Sequence, residues 1–307
     1  MTLQQLKYII GVSEIGSLNK ASEALYISQP SLTAAIKDVE NEFDITIFNR
    51  SSRGISLTQE GKEFLQYARQ VYVQYDNLME KYGKGGTRKK RFGVSTQHYS
   101  FAVKSFVEMV KKFNTDEYEF AINETRTLSV IDDVSTGRSE IGILYLSDFN
   151  RKVLGKLFNS NDLVFEPLII CDAYVYLYKK HPLAKAKSIS FEQLKDYPCL
   201  TFDQGNSSFY YAEEILTENE YPKIIKTTDR ATNLNLMIGL NGYTLCSGII
   251  CEELNGEDFV AVPYEADAEN PNSKMEIGYI LKKNVVLSKT GEAYLEEIKK
   301  YLAKVKQ

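Results

Sequence analysis

Apolar residues Leu3, Leu6, Ile9, Ile10 and Val12 fall on or near one helical face, with Thr2 placed to cap it and Gly16-Ser17 to stop it, and they predict a helix over residues 2–15. A second, short helix is expected from Asn19 to Leu25. After a turn at Tyr26-Ile27, Ser28 can cap a third helix whose first turn tolerates Pro30, and Leu32, Ala35, Ile36 and Val39 recur at helical spacing behind it. Three short helices with a tight turn before the third predict a helix-turn-helix. The stretch Ile47 to Leu57 sets Arg50-Ser51-Ser52-Arg53-Gly54 between short apolar segments and predicts a hairpin with a basic tip, a candidate wing. From Thr58 to Tyr82 the residues Phe64, Ala68, Val71, Tyr75, Leu78 and Tyr82 alternate spacings of four and three, a heptad seam. A helix of this span is roughly 30 Å or more long at about 1.5 Å per residue. Its seam needs a cover, for which a helix of a second subunit is the simplest candidate and the chain's own surface the alternative. Gly83-Lys84-Gly85-Gly86-Thr87-Arg88-Lys89-Lys90 reads as a linker closing the first domain, its lysines a solvated hinge or else a contact to DNA backbone.

The pattern then changes to alternating strands and helices. Strands are expected at Arg91–Val94, Glu119–Asn123 and Ile141–Tyr145, with helices near Phe101–Phe113 and Leu128–Thr136 between them. A second series has strands near Ala173–Tyr178, Leu200–Phe202, Ile224–Thr228 and Tyr243–Cys246, with helices near Phe209–Glu218 and Ala231–Leu240. Such alternation predicts α/β architecture with largely parallel sheets, and the length predicts two subdomains. Ligands of such folds lie at the carboxyl ends of strands, beside helix N-termini.

Composition narrows the function classes. The 307 residues, 43% hydrophobic and 25% charged, are ordinary for a globular chain of roughly two domains. No apolar run approaches the roughly 18 residues of a membrane span, and the polar residues of MTLQQLKYII argue against a leader, so a cytoplasmic location is expected with no membrane partner. Residues 1–90 carry 12 Lys and Arg against 10 Asp and Glu, whereas the rest is net negative, an asymmetry that permits DNA binding at the front without requiring it. Cys171, Cys199, Cys246 and Cys251 lack CxxC spacing, and His98 and His181 are far apart, so neither a metal site nor a cofactor is expected. Buried free thiols are the simplest reading of the cysteines, with redox sensing through Cys246 and Cys251 as the alternative.

One set of motifs resembles the LysR-type transcription regulators: Lys20-Ala21-Ser22-Glu23-Ala24-Leu25, SQPSLTAAIKDVE at 28–40, IFNRSSRGISLT at 47–58, and Gly61. Ser28-Gln29-Pro30, Phe48-x-Arg50-x-x-Arg53 and Leu57-Thr58-x-x-Gly61 occur in the order that family shows, and weaker agreement through His181-Pro182-Leu183 and Gly239-x-x-Gly242 extends over nearly the whole chain. Ala21, Leu25, Leu32, Ile36, Val39 and Phe48 are the expected small core. Readout of a major groove needs donors near the start of the third helix, where Gln29, Pro30, Ser31 and Thr33 stand, with Lys37 further along. Arg50 and Arg53 suit phosphates or an adjacent minor groove, although Arg50 could instead brace the fold. The chain departs from the family at Ala34 and Ala35, where Arg or Gln is common, at Asp38, where a basic residue is frequent, and at Phe43-Asp44 in place of Leu-Gly. Thin base readout with a large share of phosphate and shape recognition is therefore expected.

The resemblance implies an α+β multidomain protein: a winged helix-turn-helix (1–60), a dimerising linker helix and hinge (61–90), and an effector domain (91–307) like a type 2 periplasmic solute-binding protein. Its subdomains are placed at 91–166 with 266–307, and at 167–265. Partners implied are double-stranded promoter DNA, a small-molecule effector, further copies of the chain as a dimer of dimers, and RNA polymerase as an additional candidate. The effector candidates are Ser95, Thr96 and Gln97, Thr127, Gln204 and Asn206, and Ser247, all in loops at strand ends, where hydroxyls and free N–H groups could hold a small carboxylate or inorganic anion. Ordinary helix capping is the alternative for each. Arg126 could clamp a carboxylate or pair with Glu124, and Phe209-Tyr210-Tyr211 reads as core more than as a ligand cage. No nucleophile–His–acid set is visible, which argues against an enzyme, and a solute-binding protein without a DNA role leaves the front motifs unexplained.

Overall fold

The computed structural model describes residues 1–51, 54–82, 90–113, 117–205, 209–213, 221–265 and 274–305. Arg53, Asn206 and the linker at 83–89 lie outside the described residues. The chain divides into two compact units, Met1–Thr87 and Arg88–Gln307.

In the first unit α1 (Leu3–Ile15) begins with a reciprocal cap between Thr2 and Gln5 and ends at Gly16, whose left-handed backbone at φ 70° suits glycine. Then come α2 (Leu18–Ala24) and α3 (Gln29–Phe43), the latter capped by Ser28 Oγ accepting from the Ser31 N–H at 3.3 Å. Their apolar faces meet in a core of Ile9, Val12, Ala21, Leu32, Ile36 and Val39, closed by Ile47, Phe48 and Leu65. Strands β1 (Phe48–Ser51) and β2 (Gly54–Leu57) form the expected antiparallel hairpin. Glu40 ties it to α3 by accepting from the N–H groups of Ile47 and Phe48 at 2.7 and 3.2 Å.

Helix α4 (Gln59–Tyr82) follows, and the Thr58-x-x-Gly61 motif explains its seating. Thr58 Oγ1 accepts from the Gly61 N–H at 2.8 Å and donates to the Thr46 carbonyl. A Cβ on Gly61 would stand 2.0 Å from the Ile47 carbonyl oxygen, so only glycine allows this approach. Along the heptad seam, Ala68 is buried and Phe64 packs against the core beside Phe43, but Val71 and Leu78 are 48% and 55% exposed. The chain's own core thus covers the start of the seam and leaves these further positions open; the side chain of Tyr82 lies outside the described residues.

The second unit has two lobes. The first contains β3 (Lys90–Thr96), α5 (Ser100–Lys112), β4 (Tyr118–Glu124), α6 (Thr127–Ser135), β5 (Ile141–Leu146), α7 (Arg151–Ser160) and β6 (Leu163–Asp172). The second lobe contains β7 (Tyr174–Tyr178), α8 (Phe191–Leu194), β8 (Cys199–Phe202), β9 (Ile224–Thr227), α9 (Arg230–Leu240), β10 (Thr244–Cys246), α10 (Glu252–Asn255) and β11 (Phe259–Pro263). The chain then returns to the first lobe as β12 (Lys274–Lys282) and α11 (Lys289–Val305).

The first lobe's sheet has the order β4-β3-β5-β12-β6. Strand β5 is buried throughout and alternates its faces: Ile141, Ile143 and Tyr145 join Phe101, Met109, Tyr294 and Ile298 of α5 and α11, while Leu144 and Leu146 join Val130, Ile131 and Phe158 of α6 and α7. The expectation of largely parallel sheets is corrected. Strands β3, β4 and β5 are parallel, as the crossovers α5 and α6 require, but β12 slots between β5 and β6 antiparallel to both. In the second lobe β7 is antiparallel to β10 and β11, and only β8 and β9 pair in parallel. The first crossing also moves: β6 pairs with β12 through Asp172, so the chain leaves the first lobe there and not at residue 166. Residues 209–211 form one 3-10 turn in place of the start of the expected helix, whose continuation beyond 213 lies outside the described residues.

Candidate nucleic-acid interface and ligand cleft

At the front of α3, Gln29, Pro30 and Ser31 are exposed, Thr33 is half-buried, and Lys37 is exposed one turn on. The helix needs neither Gln29 nor Thr33 for capping, because Ser28 does that work; Ser31 shares its hydroxyl with Ser28 Oγ at 2.7 Å. Arg50 is exposed on β1, opposite Ile55. The turn before α3 places Tyr26, 97% exposed, in the left-handed region at φ 53°. The polar face of α3 is therefore an outward array of side-chain amide, hydroxyl and ammonium groups at a helix N-terminus, suited to a polyanion with readable edges.

The cleft between the two lobes has the opposite character. Gln97 is buried at the end of β3; its Nε2 donates to Thr127 Oγ1 at 2.6 Å, and its Oε1 accepts from Tyr99 Oη at 3.0 Å and the Tyr145 N–H at 3.1 Å. Thr127, first residue of α6, donates its N–H to Gln204 Oε1 at 3.0 Å and its hydroxyl to the Tyr211 carbonyl at 2.8 Å. Gln204 Nε2 donates to Glu213 Oε1 at 2.8 Å. The other oxygen of Glu213 accepts from the His98 N–H at 2.9 Å and pairs with His98 Nδ1 at 2.8 Å. Both side chains of that pair are almost wholly buried, and the His98 ring lies flat on Phe202, centroids 3.8 Å apart. Because an ionised carboxylate only accepts, Nδ1 of His98 carries the proton.

The structure thus brings Gln97, Thr127 and Gln204 together, while the side chains of Ser95, Thr96 and Ser247 are engaged elsewhere. Ser95 faces α6, donating to Asp133 Oδ2 at 2.5 Å and sharing a hydrogen bond with Ser139 Oγ at 2.8 Å. Thr96 donates to the Gln97 carbonyl at 2.7 Å, and Ser247 accepts from the Ile249 N–H at 3.4 Å at the end of β10. Asn206 lies outside the described residues. Arg126 does not pair with Glu124: its Nε donates to the Asp203 carbonyl at 3.0 Å and its guanidinium meets Asp203 Oδ2 at 2.6 Å, while Arg230 takes Glu124. Gly205, at φ 67°, makes room for that guanidinium, which a Cβ would approach to 2.9 Å. Phe209 and Tyr210 are not core as expected; half-exposed, they cluster on Phe149 of the first lobe, Tyr210 at 4.6 Å.

Residue-type reasoning missed His98 and Glu213. A histidine at the end of β3 beside Gln97 was the available signal; Glu213 had none, since its partners are 115 and 9 residues away. Two other polar sites are structural. His181 is buried, accepting at Nδ1 from the Leu183 N–H and donating from Nε2 to the Asn241 carbonyl, both at 3.0 Å, and burial pulls its pKa below the ordinary value. Cys246 has its thiol pushed up to about 12 by burial, and Cys199 and Cys251 are buried in the second unit. Among the described residues, no group of three or more metal-ligating side chains comes together, and no helix is long and apolar enough to cross a membrane.

Residues 3–62 match the family model described as a bacterial regulatory helix-turn-helix protein of the lysR family, and residues 99–303 match the LysR substrate binding domain. The chain is similar to the transcriptional regulator YbhD of Escherichia coli K12, 23% identical over 95% of this chain and 89% of that protein. It is also similar to the regulator AlsR of Bacillus subtilis, 27% identical over 78% and 77% of the two chains. Among solved structures, a full-length OxyR variant from Pseudomonas aeruginosa superposes with a TM-score of 0.67 at 18% identity, covering 98% of this chain and 94% of that one. Full-length CbnR in complex with its target DNA superposes at 0.53 with 16% identity, covering 98% and 100%.

Proposed function

The chain belongs to the LysR family of bacterial regulators, a DNA-binding transcription regulator with an effector-binding domain and not an enzyme, and on that premise we propose how its own residues divide the work. The α3 N-terminus enters a major groove, with Gln29, Ser31 and Thr33 at base edges or phosphates and Lys37 on the backbone. Arg50 and Arg53 of the wing take phosphates or the neighbouring minor groove. Because Ala34 and Ala35 offer no long donors, much of the recognition is of phosphate and DNA shape. The observation that carries this reading is the exposed polar front of α3 on a helix whose cap is already made by Ser28.

The effector is a small carboxylate or inorganic anion, held between the lobes where Gln97, Thr127 and Gln204 converge. Its binding resets the closure of the cleft and, in an assembly of two dimers, the spacing of the DNA-binding heads and the bend of the promoter. The open part of the α4 seam, Val71 and Leu78, supports pairing with a second copy. RNA polymerase is a further partner in this reading, and the cytoplasm is where it operates.

The test is a footprint of the purified full chain on promoter fragments against random duplex over a range of salt. Selective protection is expected, with log K falling steeply against log salt; equal binding to random duplex overturns the DNA reading, and a flat salt dependence overturns the phosphate share. A thermal-shift screen of the full chain against small anions and metabolites tests the effector class, expecting a midpoint rise that follows ligand concentration.

A further inference from the structure

We propose that Glu213 is a tethered occupant of the effector's anion seat, a side chain of the regulator standing where an incoming ligand's carboxylate goes. The proposal rests on the effector reading above and deepens it. The seat is the donor set around Glu213: the His98 N–H and Nδ1–H converge on one carboxylate oxygen at 2.9 and 2.8 Å, and the Gln204 amide donates to the other at 2.8 Å. Three donors on two oxygens, closed from water, with an imidazole held flat against Phe202, form a receptor for a carboxylate as such. No donor in it reads any other part of a glutamate.

What the carboxylate is attached to supports the same assignment. Residues 209–213 have one 3-10 turn of their own. Beside the Asp203 acceptors that Arg126 takes, the second lobe sends the Glu213 carboxylate, the Tyr211 carbonyl and Gln204 Oε1 across the cleft, and each of these three meets a donor of His98 or Thr127 in the first lobe. A small acid with a carboxylate and one further acceptor satisfies the same donors. It cannot enter beside Glu213, because two carboxylates at one buried seat repel strongly, so it must displace it. Ligand binding and release of the 209–213 segment are then one event. The apparent affinity of the wild-type protein is weakened by the fraction of time Glu213 holds the seat.

The experiment compares the full-length wild type with Glu213→Ala, which empties the seat, and Glu213→Gln, which fills it with a neutral amide. The probe is radiolabelled acetate in equilibrium dialysis, with sodium chloride setting a constant ionic strength, and thermal midpoints are read in parallel. Expected is saturable binding of one acetate per chain to Glu213→Ala, about tenfold or more tighter than to the wild type, with a midpoint that acetate raises and chloride does not. Glu213→Gln, whose amide nitrogen brings a donor to a seat made of donors and which carries no charge to repel a ligand, should bind acetate more tightly than the wild type and no more tightly than Glu213→Ala. Acetate binding by Glu213→Ala no better than by the wild type, in a variant that keeps its circular dichroism, overturns the proposal. Should Glu213→Ala not fold, Glu213→Ser opens the same seat with a polar lining and the same outcomes apply. The two readings fail separately. An effector whose affinity is unmoved by both substitutions leaves the cleft as effector site and removes Glu213 from it. Acetate rescue without any metabolite altering the promoter footprint supports the seat and removes the effector reading.

Discussion

The front of α3 and the cleft between the lobes hold the same kinds of side chain, Gln, Ser and Thr, in opposite states. Gln29 and Ser31 stand exposed on a helix that is already capped, whereas Gln97, Thr127 and Gln204 are tied into one hydrogen-bonded chain ending on a buried Glu213–His98 pair. The difference follows from what each surface meets. DNA brings its own water-exposed acceptors, so a reader can wait solvated and give up only water on binding. A closed cleft has no water to spare, and an unpaired buried donor there costs about 1–3 kcal/mol, so the protein supplies acceptors from its own chain. An outward site is built for addition and an inward one for exchange.

The largest effect expected from breaking this comparison lies on α4, where apolar residues share the outward state. Val71→Glu with Leu78→Glu should leave the first unit folded, since both positions are exposed, yet abolish pairing of chains. Promoter affinity should fall about 100-fold or more through lost avidity, read by sedimentation and footprinting together. A double variant that remains dimeric places the interface elsewhere. A mirrored pair comes next. Gln29→Ala should cost about 1–3 kcal/mol in promoter binding with no change in thermal midpoint. Gln97→Ala, which strips partners from Thr127, Tyr99 and Tyr145, should cost about as much in stability and leave the affinity of the folded protein for DNA nearly intact. If the two variants exchange phenotypes, the outward and inward assignments are reversed.

How much of this was legible in the sequence depended on the range of the interactions. The first unit is nearly all local: caps at Thr2, Ser17 and Ser28, a stop at Gly16, helical periodicity, and a hairpin turn each sit within a few residues of what they control, so elements and interface candidates could be read together. The glycine at 61 was legible as a motif, but its reason, the Ile47 carbonyl 2.0 Å from where a Cβ would stand, is tertiary. In the second unit the βα alternation from β3 to β5 was legible, while β6 and β12 were not assigned, and with them went the antiparallel insertion and the true crossing point. The cleft was legible only as loops at strand ends. Ser95 lies within β3 and its hydroxyl is spent on Asp133 of α6, whereas Gln97 lies one residue past the end of the strand at Thr96, where alternation along the strand no longer sets the direction of the side chain, and it enters the cleft network. Glu213 is fixed by partners in distant segments, which residue type and spacing do not encode.

A smaller effect is expected from acid at a site outside both surfaces. His181 is neutral in the fold, with Nδ1 accepting from Leu183 N–H, and burial depresses its pKa. The folded protein therefore binds this proton less readily than the unfolded chain, so the stability His181 contributes is complete above the unfolded value of about 6.5 and is lost as pH falls through that value toward the depressed one. Thermal midpoints between pH 8 and 5 should fall more steeply for the wild type than for His181→Gln. Parallel slopes would mean that the ring takes its proton without cost.

The smallest effect, expected to be none, concerns the thiols. Attack on peroxide needs a thiolate, and burial drives the Cys246 thiol up to about 12 against the Gly248 N–H that approaches its sulfur at 3.3 Å. A thiol raised that far stays protonated at pH 7 and is a poor nucleophile toward peroxide. Cys251 is also buried, its N–H donating to Ser100 Oγ at 3.2 Å. Promoter affinity should therefore change less than about twofold after hydrogen peroxide treatment, in wild type and in Cys246→Ser alike. A loss of binding on oxidation that Cys246→Ser or Cys251→Ser prevents would show that these thiols reach solvent in the working protein, and would add a response to oxidants to the outward and inward sites compared above.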